Sequence, residues 1–182
     1  MAERHCIGPD RRPKYVAQAA DGALISTLII RPAHPSESDA LTSLAFAAKA
    51  FWGYTRQQLD AWSNELSISP ESILKELTYV AEHQGRILGV VQLNTSSIPW
   101  QVECVWVHPD STRQGVGARL MCETLAYAQA HGQRELHIDA DPNAEGFYLQ
   151  IGARRVGARS APIAGNPQRV RPQLMLATEN AA

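Results

Sequence analysis

The sequence predicts a single α/β domain, a mixed sheet of six to seven strands flanked by helices. Three observations carry this: a three-strand meander at mid-chain, helical periodicity before it, and a strand–helix–strand–helix order after it. With 182 residues, 45% of them apolar and 19% charged, the chain is of a size that buries one continuous core.

Residues 1–22 mix charge, proline and alanine without a period, and carry a basic cluster at Arg11, Arg12 and Lys14. They read as a flexible N-terminal tail, with the domain proper over 23–179. The β-branched run LISTLIIR at 24–31 reads as a first strand that stops at Pro32. A helix is expected over 36–51, with Leu41, Leu44, Ala45 and Ala48 on one face and a break at Gly53. Further helices are expected over 56–65 and, opened by Ser69-Pro70-Glu71, over 70–77.

The period then changes. TYVAE, ILGVVQLN and QVECVWV are separated by a turn at 83–86 and a loop around 96–99, which makes an antiparallel meander. A long helix over 115–131, a strand ELHIDA, a short helix over 144–151 and two late strands near 154–156 and 174–177 complete the order.

Bulk properties narrow the function. A net charge of −1 and a pI near 6.6 supply no positive field for nucleic acid or an anionic membrane, so the expected partner is a small molecule or another protein. Cys6, Cys104 and Cys122 are odd in number and far apart, which suggests no disulfide framework and fits a reducing compartment. No apolar run approaches the ~20 residues of a membrane span, and the start lacks a secretion signal; a soluble, cytoplasmic protein is expected. The six histidines show no metal-ligand spacing, and no metal site is expected.

The informative stretch is 102–121, VECVWVHPDSTRQGVGARLM. An apolar strand ends at Val107, Pro109 turns the chain, and Gly115 and Gly117 open a helix whose apolar positions Val116, Leu120, Thr124, Leu125 and Ala128 recur at helical spacing. The free N–H groups and positive dipole end of such a helix form an anion site, and glycine lets a phosphate approach the backbone. A dinucleotide fingerprint would need glycine where Leu120 stands, and a P-loop would need Gly-Lys-Ser/Thr; neither is present.

This segment resembles motif A of the GNAT acetyltransferases, a strand and a proline followed by Arg/Gln-x-x-Gly-x-Gly/Ala at the head of a long helix. The first motif position falls on Thr112 rather than Arg or Gln. The resemblance implies that acetyl-CoA is the co-substrate, its diphosphate held by main-chain groups of Thr112, Arg113, Gln114, Gly115, Val116, Gly117 and Ala118. It also implies that a main-chain N–H near Val105, Trp106 and Val107 polarises the acetyl carbonyl. Downstream, DADPNAEGFYLQIGA resembles motif B of the same family. There Asn143 reads both as a helix N-cap and as a cofactor contact. Phe147 is a core residue beside the cofactor, and Tyr148 is implied to protonate the departing thiolate.

The activity implied is N-acetyl transfer to an amine of a small molecule or protein by direct attack in a ternary complex; a non-catalytic CoA-binding sensor on the same fold is the alternative. An alkylamine of pKa ~10.4 is almost wholly protonated at neutral pH, so a base or water relay is expected. Glu103 is the candidate, alternating with Val102 and Cys104 and sharing a face with Gln101 and Val105, with His108 and His137 as rivals. For the acceptor wall, KAFWGY at 49–54 offers Phe51, Trp52 and Tyr54. Arg169 and Arg171, expected in an irregular segment, either meet an acidic group on the acceptor or simply remain in water. Acceptor identity and oligomeric state, a homodimer included, are left open by the sequence.

Overall fold

The computed structural model describes residues 27–179; the expected N-terminal tail, Cys6 and the start of the first expected strand lie outside them. Seven strands form one sheet: β1 (Ile29–Pro32), β2 (Leu77–His83), β3 (Arg86–Asn94), β4 (Gln101–Val107), β5 (Glu135–Asp139), β6 (Arg154–Ser160) and β7 (Val170–Ala177). Their order is β1-β2-β3-β4-β5-β7-β6, antiparallel throughout except for the parallel pair β4–β5. The helices are α1 (Ser38–Phe51), α2 (Arg56–Ala61), α3 (Ser63–Leu66), α4 (Pro70–Lys75), α5 (Val116–Ala130) and α6 (Glu145–Gln150).

Each face of the sheet has its own core. On one, Val91, Leu93, Val102, Leu136, Ile138 and Leu174 pack against Val116, Leu120 and Met121 of α5. On the other, Val80 and Val90 meet Leu41 and Leu44 of α1, Ile68, and Ile73 of α4. The long helix lies close to the sheet because β3 presents Gly89 to it. A Cβ there would stand 2.9 Å from the Trp106 carbonyl oxygen and 3.0 Å from Leu120.

Several expectations are corrected by tertiary context. The first strand begins at Ile29 and keeps Pro32, which pairs with Tyr79 on an edge where its missing N–H costs nothing. The expected helix over 56–65 breaks at Trp62, and the helix at 70–77 ends at Lys75 because Leu77 is taken into β2. Strand β7 starts at Val170, four residues early, and therefore holds Arg171. Pro172 is tolerated there because β5 pairing ends at Asp139 opposite Gln173. Strand β6, exposed along its whole length, lacks the alternation that would have announced it as far as Ser160.

Candidate active site between two splayed strands

The parallel pair β4–β5 is joined only at Gln101 with His137 and Val102 with Ile138. One residue later β4 bulges: Leu93 of β3 pairs with Val102 and Gln92 with Cys104, which leaves Glu103 as the extra residue. The bulge shifts the phase of the strand. Val102, Val105 and Val107 pack towards α5, and Cys104 and Trp106 towards α1. The expected alternation that put Glu103 on the face of Val105 is thereby corrected.

Beyond the bulge β4 has one neighbour. The His108 N–H donates to the Leu88 carbonyl at 2.8 Å, and the alternation of an antiparallel ladder turns the amides of Trp106 and Cys104 towards β3 as well. The amides of Val105 and Val107 then face the gap that β5 has vacated.

That gap is a cavity of about 300 Å³. One wall is β4, residues 101–106; the other is Ile138, Asp139, Ala140 and Asp141 at the end of β5, with Ala144 and Tyr148. Lys49, Trp52, Trp62, Glu65 and Leu66 close one side, and Arg169 and Arg171 line it from β7 and the residue before it. Tyr148 is 5% exposed, and its hydroxyl makes no hydrogen bond among the described residues. Burial, assisted by the neighbouring Cys104, raises the phenol above its ordinary value. Burial likewise pushes the Cys104 thiol up to about 12.

The turn before α5 is built from backbone conformations of low population. Arg113 has φ +60°, and Gly115, the helix N-cap, has φ +84°; no side chain caps the helix. Its first amides therefore lack side-chain acceptors. Thr112, where the motif departs, turns its hydroxyl to the Pro109 carbonyl at 2.9 Å, while Arg113 is exposed beside it and Gln114 donates to the Asp110 carbonyl. Gly117 also has a packing role: a Cβ on it would lie 3.2 Å from the Phe147 ring, so this glycine seats α6 against α5. Phe147 in turn packs edge-on to Tyr148, ring centroids 5.0 Å apart. Val116 and Ala118 are core residues.

Behind the far wall lies a buried ionic cluster that the sequence reading missed. The Lys49 ammonium is 2.5 Å from Asp141 Oδ2, and the two residues are 8% and 7% exposed. Asp141 also accepts from the Tyr54 hydroxyl at 2.9 Å, the Asn143 main-chain N–H at 2.9 Å and Arg169 Nη2 at 3.0 Å. Four aromatic rings, Trp52, Tyr54, Trp62 and Trp106, stand 4.8 to 5.8 Å from Lys49 Nζ. Burial pulls the ammonium below its ordinary value against the pull of Asp141. It also pushes the Asp141 carboxyl up, but Lys49, Asn143 and Tyr54 together hold it below the usual range.

The candidate residues thus sort themselves. Trp52 and Trp106 line the cavity; Tyr54 stands behind the wall as a ligand of Asp141; Phe51 is 59% exposed and outside. Asn143 does not cap α6, whose N-cap is Ala144 with no side-chain bond; Asp141 caps the preceding 3-10 turn Pro142–Ala144, accepting from the Asn143 N–H, while the Asn143 side-chain amide donates to Tyr54 and Asp141. Glu103 lines the cavity, held by Asn94 Nδ2 at 2.9 Å and Gln101 Nε2 at 3.4 Å. His108 caps a turn at Asp110 and His137 contacts Gln101; neither lines the cavity. Among the described residues no cluster of His, Cys, Asp and Glu could hold a metal ion.

A mixed sheet splayed at a bulge, with a glycine-led helix starting beside the splay and one cleft between the splayed strands, defines the class of α/β domain. The family model described as "Acetyltransferase (GNAT) domain" matches residues 44–161, more than half of the chain, and the protein belongs to the GNAT acetyltransferase family. Solved structures agree on the fold. A GCN5-related N-acetyltransferase from Rhodopseudomonas palustris is 22% identical over 83% of this chain and 96% of its own, with a TM-score of 0.69. The PaiA N-acetyltransferase of Thermoplasma acidophilum, in complex with coenzyme A, is 15% identical over 82% and 98%, TM-score 0.67. The ribosomal-protein-S18-alanine N-acetyltransferase of Escherichia coli is 15% identical over 85% and 96%, TM-score 0.62. No protein in the comparison with curated proteins matches the chain.

Proposed function

We propose that this protein transfers an acetyl group from acetyl-CoA to an amine by direct attack within a ternary complex. The observation that carries this reading is a juxtaposition across one cleft. The unpaired amide of Val105 stands on one wall and the Tyr148 hydroxyl, unbonded among the described residues, on the other, with the uncapped start of α5 locked to the same corner through Gly117 and Phe147. Family membership and the coenzyme A held by the Thermoplasma acidophilum relative support it.

Bound acetyl-CoA supplies an activated acyl group as a thioester. Its diphosphate is to be held by the main-chain amides of 113–118, with Arg113 adjacent, an arrangement in which backbone donors and the helix dipole meet an anion together. The amides of β4 are placed to donate to the acyl oxygen as charge develops on it. Tyr148 gives its proton to the sulfur as the C–S bond breaks and the C–N bond forms, and the proton shed by the newly acylated nitrogen returns through water to the phenolate; the raised pKa keeps the phenol protonated across neutral pH. Glu103, exposed at the cleft, takes the proton of the acceptor ammonium through water. A Cys104 thiol pushed up to about 12 is uncharged at neutral pH, which supports direct attack over an acyl-cysteine route.

The test is incubation of the full-length protein with acetyl-CoA and a panel of amines, amino acids and peptides, following thiol release, alongside calorimetric titration with coenzyme A. Turnover on at least one amine is expected. Coenzyme A binding without turnover on any of them would replace the enzyme by a CoA sensor.

A further inference from the structure

At the inner end of the cleft four cations share two carboxylates. Lys49 and Arg169 both pair with Asp141, at 2.5 and 3.0 Å, and Arg159 and Arg171 both pair with Asp139, at 2.5 and 3.0 Å. Arg159 is the exposed member of this group and lies outside the cleft, whose lining sets Lys49, Arg169 and Arg171 among Asp139, Asp141, Glu65 and Glu103. Glu103 is held at the bulge by Asn94 and Gln101, and Glu65 makes no ion pair among the described residues.

Arg169 is the most telling of the four. Its side chain is 7% exposed, Nη1 donates to the Ala161 carbonyl at 3.2 Å and Nη2 to Asp141 at 3.0 Å, yet Nε is buried without an acceptor. The rings of Tyr54 and Trp62, 5.8 and 5.6 Å from its guanidinium carbon, hold it in place. Arg171 Nε is buried in the same state: 3.0 Å from Asp139 Oδ1, it lacks the alignment of a hydrogen bond. Buried donors left unmet are rare, and each asks for an acceptor. Both arginines line the main cleft and also an adjoining recess of about 130 Å³.

We propose that this end of the cleft binds an oxyanion carried by the acceptor, a carboxylate or a phosphate on the same small molecule as the reacting amine. The inference rests on the acetyltransferase reading above. Guanidinium groups present paired, coplanar N–H donors that match carboxylate and phosphate oxygens, and Arg169 and Arg171 each keep one such donor unused. An acceptor bringing only an ammonium would leave both donors unmet; one that also brings an oxyanion supplies the acceptor they lack. The volume of about 300 Å³ limits the occupant to a small molecule or the end of a larger one.

Matched pairs test this: L-amino acids against their α-amides, and O-phosphoethanolamine against ethanolamine, each with acetyl-CoA and thiol release as the readout. In at least one series the oxyanion-bearing member is expected to show a kcat/KM about 10²-fold or more above its neutral partner, and the series identifies the oxyanion. Arg171→Gln, which leaves Asp139 its contacts with Arg159 and Gln173, should shrink that ratio about tenfold, mainly through KM, with an unchanged circular dichroism spectrum. Neutral amines acetylated as well as their charged partners would overturn the oxyanion site and leave the acetyltransferase reading standing. A ratio untouched by Arg171→Gln would overturn its assignment to these arginines. Thiol release with no amine, despite coenzyme A binding, would overturn the acetyltransferase reading and this inference with it.

Discussion

Tyr148 brings a single polar atom to the cleft, and burial decides how it behaves. With no hydrogen-bond partner among the described residues and a pKa raised by desolvation, the hydroxyl is a donor without a competing acceptor there. Tyr148→Phe is expected to lower kcat about 10²-fold while coenzyme A affinity, read by calorimetry, stays within error, because in the proposed reaction the phenol acts only on the departing sulfur. Asp141 works in the opposite sense, as a stabiliser. Removing its charge strands Lys49 and Arg169 in a buried, aromatic-lined site, so Asp141→Asn should cost about 3–5 kcal/mol in chemical denaturation. Lys49→Met should cost less, since Asp141 keeps Arg169, Tyr54 and Asn143. The sequence held a clue to this cluster: Lys49 lies four residues after Ala45 and eight after Leu41, on the face of α1 that its period buries. Nothing in the sequence pairs it with Asp141, which lies 92 positions away.

Among the elements, the start of α5 depends on contacts from two others. Gly89 lets the helix approach β3, and Gly117 lets the ring of Phe147 approach the helix. Gly117→Val would push that ring from a contact already at 3.2 Å and carry Tyr148 with it. The expected result is a lower melting temperature together with coenzyme A affinity reduced about tenfold or more, the scale of displacing one set of well-placed contacts. Wild-type affinity in this variant would mean that α6 does not help to form the cofactor site. Gly115→Ala addresses the turn itself. At φ +84° an L-residue costs about 1–2 kcal/mol, so a modest loss of stability with weaker coenzyme A binding is expected. The glycine-led start of the helix was legible because strand, proline and two glycines stand in a row. The bulge at Glu103 was not, since QVECVWV alternates without any sign of the extra residue that only pairing with β3 creates.

For the molecule as a whole, two ionic clusters tie distant elements together and set its response to acid. The hydrogen bond from Arg31 is the main force holding Glu37 below its ordinary value, with burial opposing it. Asp141 is held low by Lys49 and its other donors against burial. A carboxyl whose folded pKa lies below its unfolded one contributes stability that is complete above the unfolded value, about 4 here, and that is lost as pH falls through the folded value. Melting temperatures should therefore be level from pH 7 to about 5 and fall steadily below about 4. A melting temperature at pH 3 equal to that at pH 7 would show that neither cluster stabilises the fold. Among the described residues no helix is long and apolar enough to cross a membrane.

The sequence by itself determined the fold class, the order of the elements in the described part and the glycine-led start of the long helix. Those features are local: period, turn chemistry and a glycine-led helix start are written within a few consecutive residues. Only the tertiary structure decided the splay of β4 from β5, the burial of Lys49 against Asp141, the packing use of Gly117 and the entry of Arg171 into β7. Each of these depends on groups far apart in the chain competing for the same space or charge, a contest that is resolved only when the sheet closes around it.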